Sequence, residues 1–329
     1  MNERPVGVAD AEVTAALRRH WGLSVTRLEY LPVGYGGYHW AATVTGGRCF
    51  FVTLSAVAGD DEFTDLGATM DAAASLADNS HLSFVIGPVR TTSGYAAARL
   101  RPGWAVTVSP FADGEPGQWG DELSAPDLVQ LTSMLASLHR CDAPAGTPVR
   151  NPELPCRDVM ETVLGERAGS WFDAGPYGVP AQNLIAEHAT GLRGALGIFD
   201  DLVGQVSASG TTVLTHGEPH PGNLIRRSDS FLLVDWDTAG LALPERDLWW
   251  VLPDADTGPD AFTALASLYA DVTGRAVDAA AMALYRLRWD LDDISLFLTE
   301  FRAQHRRTAD TKKAWVGLDA AVRRVAGAS

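Results

Sequence analysis

The chain has 329 residues, 46% hydrophobic and 20% charged, a balance that excludes a disordered or fibrous protein and allows two lobes with separate cores. Its 41 acidic against 26 basic residues leave a formal charge of −15, which argues against a duplex nucleic-acid binder, because phosphate contacts need clustered Lys and Arg. No apolar run reaches the roughly 18 residues of a membrane span, and the N-terminus reads as no secretory signal, so a non-membrane, cytoplasmic protein is expected.

In chain order, residues 9–21 carry Val13, Leu17 and Trp21 at helical spacing. Strands are expected at 28–33, 39–44 and 48–54, the first two joined by Gly34-Tyr35-Gly36-Gly37. A helix over 60–77 follows, then strands at 84–89 and 104–108, with a short one at 96–100 between them. After Ser109-Pro110-Phe111 the pattern becomes helical, over 123–140 and 181–202 and again from 246 onward. A loop-and-strand island at 213–236 interrupts it. The fold class is therefore α+β: a small antiparallel β lobe with one main helix, residues 1–112, and a larger, mostly α lobe, residues 113–329. Cys49, Cys141 and Cys156 have neither metal-ligand spacing nor an even count.

The island reads Thr215-His216-Gly217-Glu218-Pro219-His220-Pro221-Gly222-Asn223, then a strand ending Asp235-Trp236-Asp237. The pair His216 and His220 around a Glu invites a zinc reading. That reading needs a helix, which Gly217, Pro219 and Pro221 oppose, so zinc is rejected.

This segment resembles the catalytic loop and metal strand of the aminoglycoside phosphotransferase and choline kinase families, H-G-D-x-x-x-x-N followed by an Asp. The order of glycine loop, hinge, catalytic loop, metal strand and Pro244-Glu245-Arg246-Asp247 fits over the whole chain. The resemblance implies a bilobal protein-kinase-like fold and transfer of a phosphoryl group from ATP or GTP, with Mg²⁺, to a hydroxyl of a small molecule. It gives Glu218 the place of the catalytic carboxylate, with His216 and Asn223 beside it. Asn223 and Asp235 become metal ligands, and Asp237 joins them. Gly34, Gly36 and Gly37 become a phosphate-cradling loop, for which a plain glycine hairpin is the alternative. Ser109 and Phe111 fall at the nucleotide hinge, which also reads as a bare linker. His216 reads equally as a loop brace. Asp247 is a cap, a brace or a substrate contact. Asp290, Asp292 and Asp293 are a solvated face or a lining for a cationic acceptor, while Trp249, Trp250 and Trp289 read as core, with sugar-stacking platforms as the alternative.

Two positions depart from that pattern. Thr53 stands where the family has a phosphate-pairing lysine, and the only lysines of the chain are Lys312 and Lys313. Any fixed cation on the phosphates must then be an arginine, with Arg48, Arg90, Arg99 and Arg101 as candidates; Arg99 is included in the expected cofactor site. Glu218 replaces the usual Asp, moving the carboxylate by about one bond length, and displacement of ~1 Å costs on the order of a hundredfold in rate. An antibiotic kinase of aminoglycoside, aminocyclitol or nucleoside type is the first expectation. A nucleotide-binding pseudokinase and a sugar or choline kinase are the alternatives.

Overall fold

The computed structural model describes residues 1–78, 81–166, 171–206 and 211–327. The chain forms two compact units, residues 1–150 with 212–277 and residues 151–211 with 278–329.

The first unit begins with helix α1 (Asp10–Trp21), which ends at Gly22 in the left-handed conformation that glycine adopts without steric cost. Then come strands β1 (Val25–Leu31), β2 (Gly37–Val44) and β3 (Cys49–Ala56), helix α2 (Asp60–Ala77), and strands β4 (Ala97–Arg101) and β5 (Trp104–Pro110). The five strands form one antiparallel sheet in the order β1-β2-β3-β5-β4. The period of two sorts the side chains. Trp40, Phe50, Val52, Leu54, Val106 and Val108 point to a core shared with Val13 and Leu17 of α1. On the other face, His39 of β2 pairs with Thr53 of β3, and Thr53 with Thr107 of β5. Toward β4 that face is covered by α2, through Leu66 and Met70 against Ala97 and Ala105.

The segment 84–89, expected as a strand, joins no ladder. Val85 makes only an isolated parallel bridge to Leu233. A side chain at Gly87 would collide with the Ala73 carbonyl of α2, and Pro88 has no N–H to donate, so this apolar run packs as a connector. The short strand at 96–100 is present as β4.

After β5 come the two-residue strand β6 (Glu115–Pro116) and helix α3 (Ala125–His139), started by a Ser124–Asp127 capping box. In the second unit lie α4 (Arg157–Gly165) and α5 (Gly178–Val206). The chain returns to the first unit with β7 (Val213–Thr215), β8 (Leu224–Arg227), β9 (Ser230–Leu233), β10 (Gly240–Ala242), α6 (Glu245–Leu248) and α7 (Pro259–Thr273). These strands make a three-stranded sheet β6-β8-β9 and a β7–β10 pair. Helices α8 (Ala279–Arg302) and α9 (Ala309–Gly327) complete the second unit, packing with α5 around Leu192, Phe199, Leu298, Phe301, Leu318 and Val322. Among the described residues no helix is long and apolar enough to cross a membrane.

Candidate active site

The loop between β7 and β8 and the segment between β9 and β10 belong to one unit and converge. Val234 N donates to the Asn223 carbonyl at 3.0 Å, tying the two segments together. Leu233 N donates to the Phe84 carbonyl and Ile86 N to that of Leu233, so the 84–89 connector seats the second segment.

The loop hangs from Asp247 at the start of α6. The fully buried Asp247 carboxylate accepts from His216 N (2.8 Å), Gly217 N (2.6 Å) and His139 Nε2 of α3 (3.0 Å). His139 Nδ1 in turn pairs with the Tyr269 hydroxyl of α7 at 2.9 Å. Burial pushes the Asp247 pKa up, but the His139 hydrogen bond, with the His139, His216 and Arg246 charges, leaves it below the ordinary carboxylate value. Arg246 donates to Thr215 Oγ1 (3.0 Å) and the Thr238 carbonyl (2.9 Å), and its guanidinium lies where any side chain at residue 217 would go. With φ at 99°, that position accepts only glycine.

His216 is a brace. It is buried, its Nε2 donates to the Val234 carbonyl (2.9 Å), and its Nδ1 accepts from Glu218 N (3.2 Å), so both ring nitrogens are engaged. Burial pushes its pKa down to about 4, against the opposing Asp247 charge, so the ring is neutral at pH 7. Trp236 packs edge-on against it at 4.6 Å.

Asn223 closes the turn after Pro221. Its Nδ2 donates to the Glu218 carbonyl at 2.9 Å, which leaves its amide oxygen as an acceptor. Asp235 adopts φ 64°, a left-handed conformation that costs an L-residue about 1–2 kcal/mol and that surrounding structure must impose. Asp235 and Asp237 are both exposed to solvent. The charge of Asp237, then burial, then the charge of Glu218 raise the Asp235 pKa well above the carboxylate range. Burial raises Asp237 as well, against the pull of Arg150. Arg150 donates to Asp65 (2.7 Å) and Thr69 (2.6 Å) of α2 and to the Ala239 carbonyl (3.2 Å), linking α2 to the acidic segment.

Carboxylate and amide oxygens are hard donors of the kind that suit a divalent cation such as Mg²⁺. Among the described residues no group of three or more His, Cys, Asp or Glu is arranged to hold a metal, so nucleotide oxygens and water would complete the shell.

Beside Glu218 lies an aromatic corner. His220 Nε2 is 4.0 Å from Glu218 Oε2, and the His220 ring contacts Trp119 (4.8 Å) and Trp250 (5.2 Å). Trp119 also meets Trp250 edge-on at 5.6 Å and is 54% exposed, so the corner opens to solvent. Trp249 and Trp250, expected as core, are only partly buried, and Trp250 Nε1 donates to the Gly217 carbonyl.

At the far end of the sheet, Gly34 and Gly36 have φ of 71° and 87°, and Gly37 begins β2. Ser109 of β5 pairs with Phe51, and Phe111, 41% exposed, lies 6.4 Å from the Phe51 ring with its N–H on the Cys49 carbonyl. Arg99 shares the Thr53 face of the sheet but is held by Asp60 and lies 4.1 Å over Phe63. Arg90 is taken by Asp71, Ser75 and Gly94, Arg101 by Gly7 and Glu12, and Arg48 lies over Phe50. Arg90, Arg99 and Arg101 thus take part in ion pairs at the surface, while Arg48 has the Phe50 ring alone among the described residues. In the second unit, Asp290 is paired with Arg324 and Asp292 with Arg288. Burial and the Asp290 charge raise the Asp293 pKa to about 7.

The model of the phosphotransferase enzyme family matches residues 49–297. Among solved structures, the chain is similar to spectinomycin phosphotransferase in complex with ADP and spectinomycin, at 16% identity over 98% of each chain with a TM-score of 0.72. It is also similar to an amicoumacin kinase in complex with AMP-PNP and Ca²⁺, at 13% identity over 98% of this chain and 94% of that one, TM-score 0.61. A macrolide 2′-phosphotransferase from Brachybacterium faecium matches at 20% identity over 94% and 97%, TM-score 0.54. No curated protein matches the sequence.

Proposed function

The chain belongs to the phosphotransferase enzyme family, and from that premise we propose that it moves the γ-phosphoryl group of ATP or GTP to a hydroxyl of a small antibiotic, of aminoglycoside, aminocyclitol or nucleoside type. The observation that carries this reading is the convergence, in one unit, of the Glu218 carboxylate, the free amide oxygen of Asn223 and the strained, charge-crowded Asp235. Residues 1–112 would hold the nucleotide, with Gly34, Gly36 and Gly37 over its phosphates and Ser109 and Phe111 at its base. Residues 113–329 would supply the catalytic loop and acceptor-binding helices.

Glu218 orients the acceptor hydroxyl and takes its proton as the oxygen attacks the γ-phosphorus. The new O–P bond forms as the bond to the β-phosphate oxygen breaks, and the nucleoside diphosphate leaves. Asn223 and Asp235, with Asp237 behind them, would hold Mg²⁺, whose charge offsets that of the phosphates. The Asp247 and His216 bonds fix the Glu218 backbone, so little reorganisation is left to the reaction. The half-open Trp119–His220–Trp250 corner favours an acceptor that presents a ring face beside its reactive hydroxyl.

A regulatory nucleotide-binding module without transfer is the second reading, favoured by Thr53 and Glu218. The test is thermal unfolding with ATP or GTP, with and without Mg²⁺, followed by a phosphate-transfer screen over antibiotics, sugars and choline. A Mg²⁺-dependent rise in the midpoint and a phosphorylated product support the kinase. Binding without any product over that panel selects the second reading, and no shift at millimolar nucleotide removes both.

A further inference from the structure

With Thr53 in place of a lysine and Arg90, Arg99 and Arg101 ion-paired, the phosphate end of the nucleotide site lacks an assigned side-chain donor. The side chain directly across from Thr53 is His39, its register partner on β2. His39 Nδ1 lies 3.1 Å from Thr53 Oγ1, and Phe51 stacks on the ring at 5.0 Å and 29°, which sets the ring plane. The glycine loop closes over the opposite edge of the ring. A methyl group built on Gly37 would stand 3.0 Å from His39 Cε1 and 3.2 Å from Nε2, and one built on Gly34 would stand 3.1 Å from Nε2. The glycines at these two positions are therefore needed as much for the imidazole beneath them as for turn geometry. His39 Nε2 has no hydrogen-bond partner among the described residues, although the residue is only 8% exposed.

When the Thr53 hydroxyl donates to Nδ1, the ring proton resides on Nε2, and that N–H faces the underside of the loop. We propose that His39, oriented by Thr53, is the phosphate-contacting residue of this chain, its Nε2–H donating to a non-bridging oxygen of the nucleoside triphosphate where the resembling family uses a lysine. This inference rests on the kinase reading and deepens it. Burial, and then the charge of the Met1 amino group, push the His39 pKa down to about 4, so the contact is a neutral directional donor at pH 7. Thr53 is then one half of a two-residue replacement and not a simple loss. The phosphates' negative charge is left to the cation and the loop amides.

The test is isothermal calorimetry of the full chain with Mg²⁺ and whichever of ATP or GTP the wild type binds, with the matching nucleoside as a phosphate-free control. Losing one hydrogen bond to a charged oxygen corresponds to roughly a 10- to 100-fold weaker affinity. His39→Ala is expected to lose that much for the triphosphate while binding the nucleoside as the wild type does. Thr53→Val, which frees the tautomer, shows a smaller loss with the same selectivity and serves if His39→Ala fails to fold. His39→Gln, with a neutral N–H of similar reach, keeps most of the affinity. Unchanged triphosphate binding in both His39→Ala and Thr53→Val, or an equal loss for triphosphate and nucleoside, overturns the assignment and leaves the kinase reading standing. Failure of the wild type to bind either nucleotide removes both.

Discussion

Asp247→Asn isolates the anchor of the catalytic loop, because it keeps the volume and alters one atom and one charge. In the wild type, Oδ2 accepts from His216 N and His139 Nε2, and Oδ1 accepts from Gly217 N at 2.6 Å. A carboxamide oxygen can replace only one of these oxygens. Placed at Oδ2, it keeps two bonds, now neutral, and turns its NH₂ against the Gly217 N–H. One hydrogen bond to a charged group is lost, about 1.5–3 kcal/mol, and a buried donor is left without an acceptor, about 1–3 kcal/mol more. A loss of roughly 2.5–6 kcal/mol is expected, against a typical total stability of about 5–15 kcal/mol. Urea unfolding should show a lower midpoint with an unchanged slope. Turnover should fall at least tenfold, since Glu218 follows Gly217 directly, while nucleotide affinity changes little. A variant within 0.5 kcal/mol of wild type, a margin ordinary for surface substitutions, with normal turnover would refute the anchoring argument. The same carboxylate has a depressed pKa in the folded state. Its contribution is therefore complete above the unfolded value of about 4 and is lost as the pH falls below that toward the folded pKa.

Three further outcomes are expected. Glu218→Gln should lower kcat by roughly 10²–10⁴-fold in a steady-state assay while leaving nucleotide affinity near wild type, because in the proposed reaction the residue acts on the acceptor proton. Asp235→Asn should abolish Mg²⁺-dependent transfer yet raise the thermal midpoint without metal, since it relieves the repulsion from Asp237 and Glu218; a lower midpoint would contradict that repulsion. Asp293 has a folded pKa near 7, above its unfolded value. Its folded form therefore holds the proton between about pH 4 and 7 while the unfolded chain has released it, and stability declines as the pH rises through that window. Asp293→Asn should raise the midpoint at pH 8 and leave it unchanged at pH 4, as scanning calorimetry at the two pH values would show.

The candidate loop stands out in the sequence because its pattern is local: His216 to Asn223 spans eight residues, and the Asp235 segment follows at once. The sheet was legible because residues such as Phe50, Val52 and Leu54 alternate with half-exposed neighbours. What holds the loop was not. His139 reaches Asp247, and Tyr269 reaches His139, across sequence separations of 108 and 130 residues, and no local pattern marks such pairs. In the sequence Asp247 reads as cap, brace or contact; three hydrogen bonds hold the loop and His139 to it. The run 84–89 misled for the opposite reason, since its composition resembles a strand while Gly87 and Pro88 fit it to the back of α2. Arg150 carried no signal at all, being one arginine among many until Asp65, Thr69 and Ala239 are seen around it.

The pairing of Thr53 with His39 also sets how this protein responds to chemical labelling. Nucleotide analogues that carry an acyl phosphate report occupancy by transferring their acyl group to a nearby lysine amine. The unit holding the glycine loop and Asp235 contains no lysine, and Lys312 and Lys313 both lie in α9 of the other unit. An imidazole beneath the loop forms at most an acyl adduct that water removes. Lysine capture therefore finds no target among the residues of the unit that holds the glycine loop.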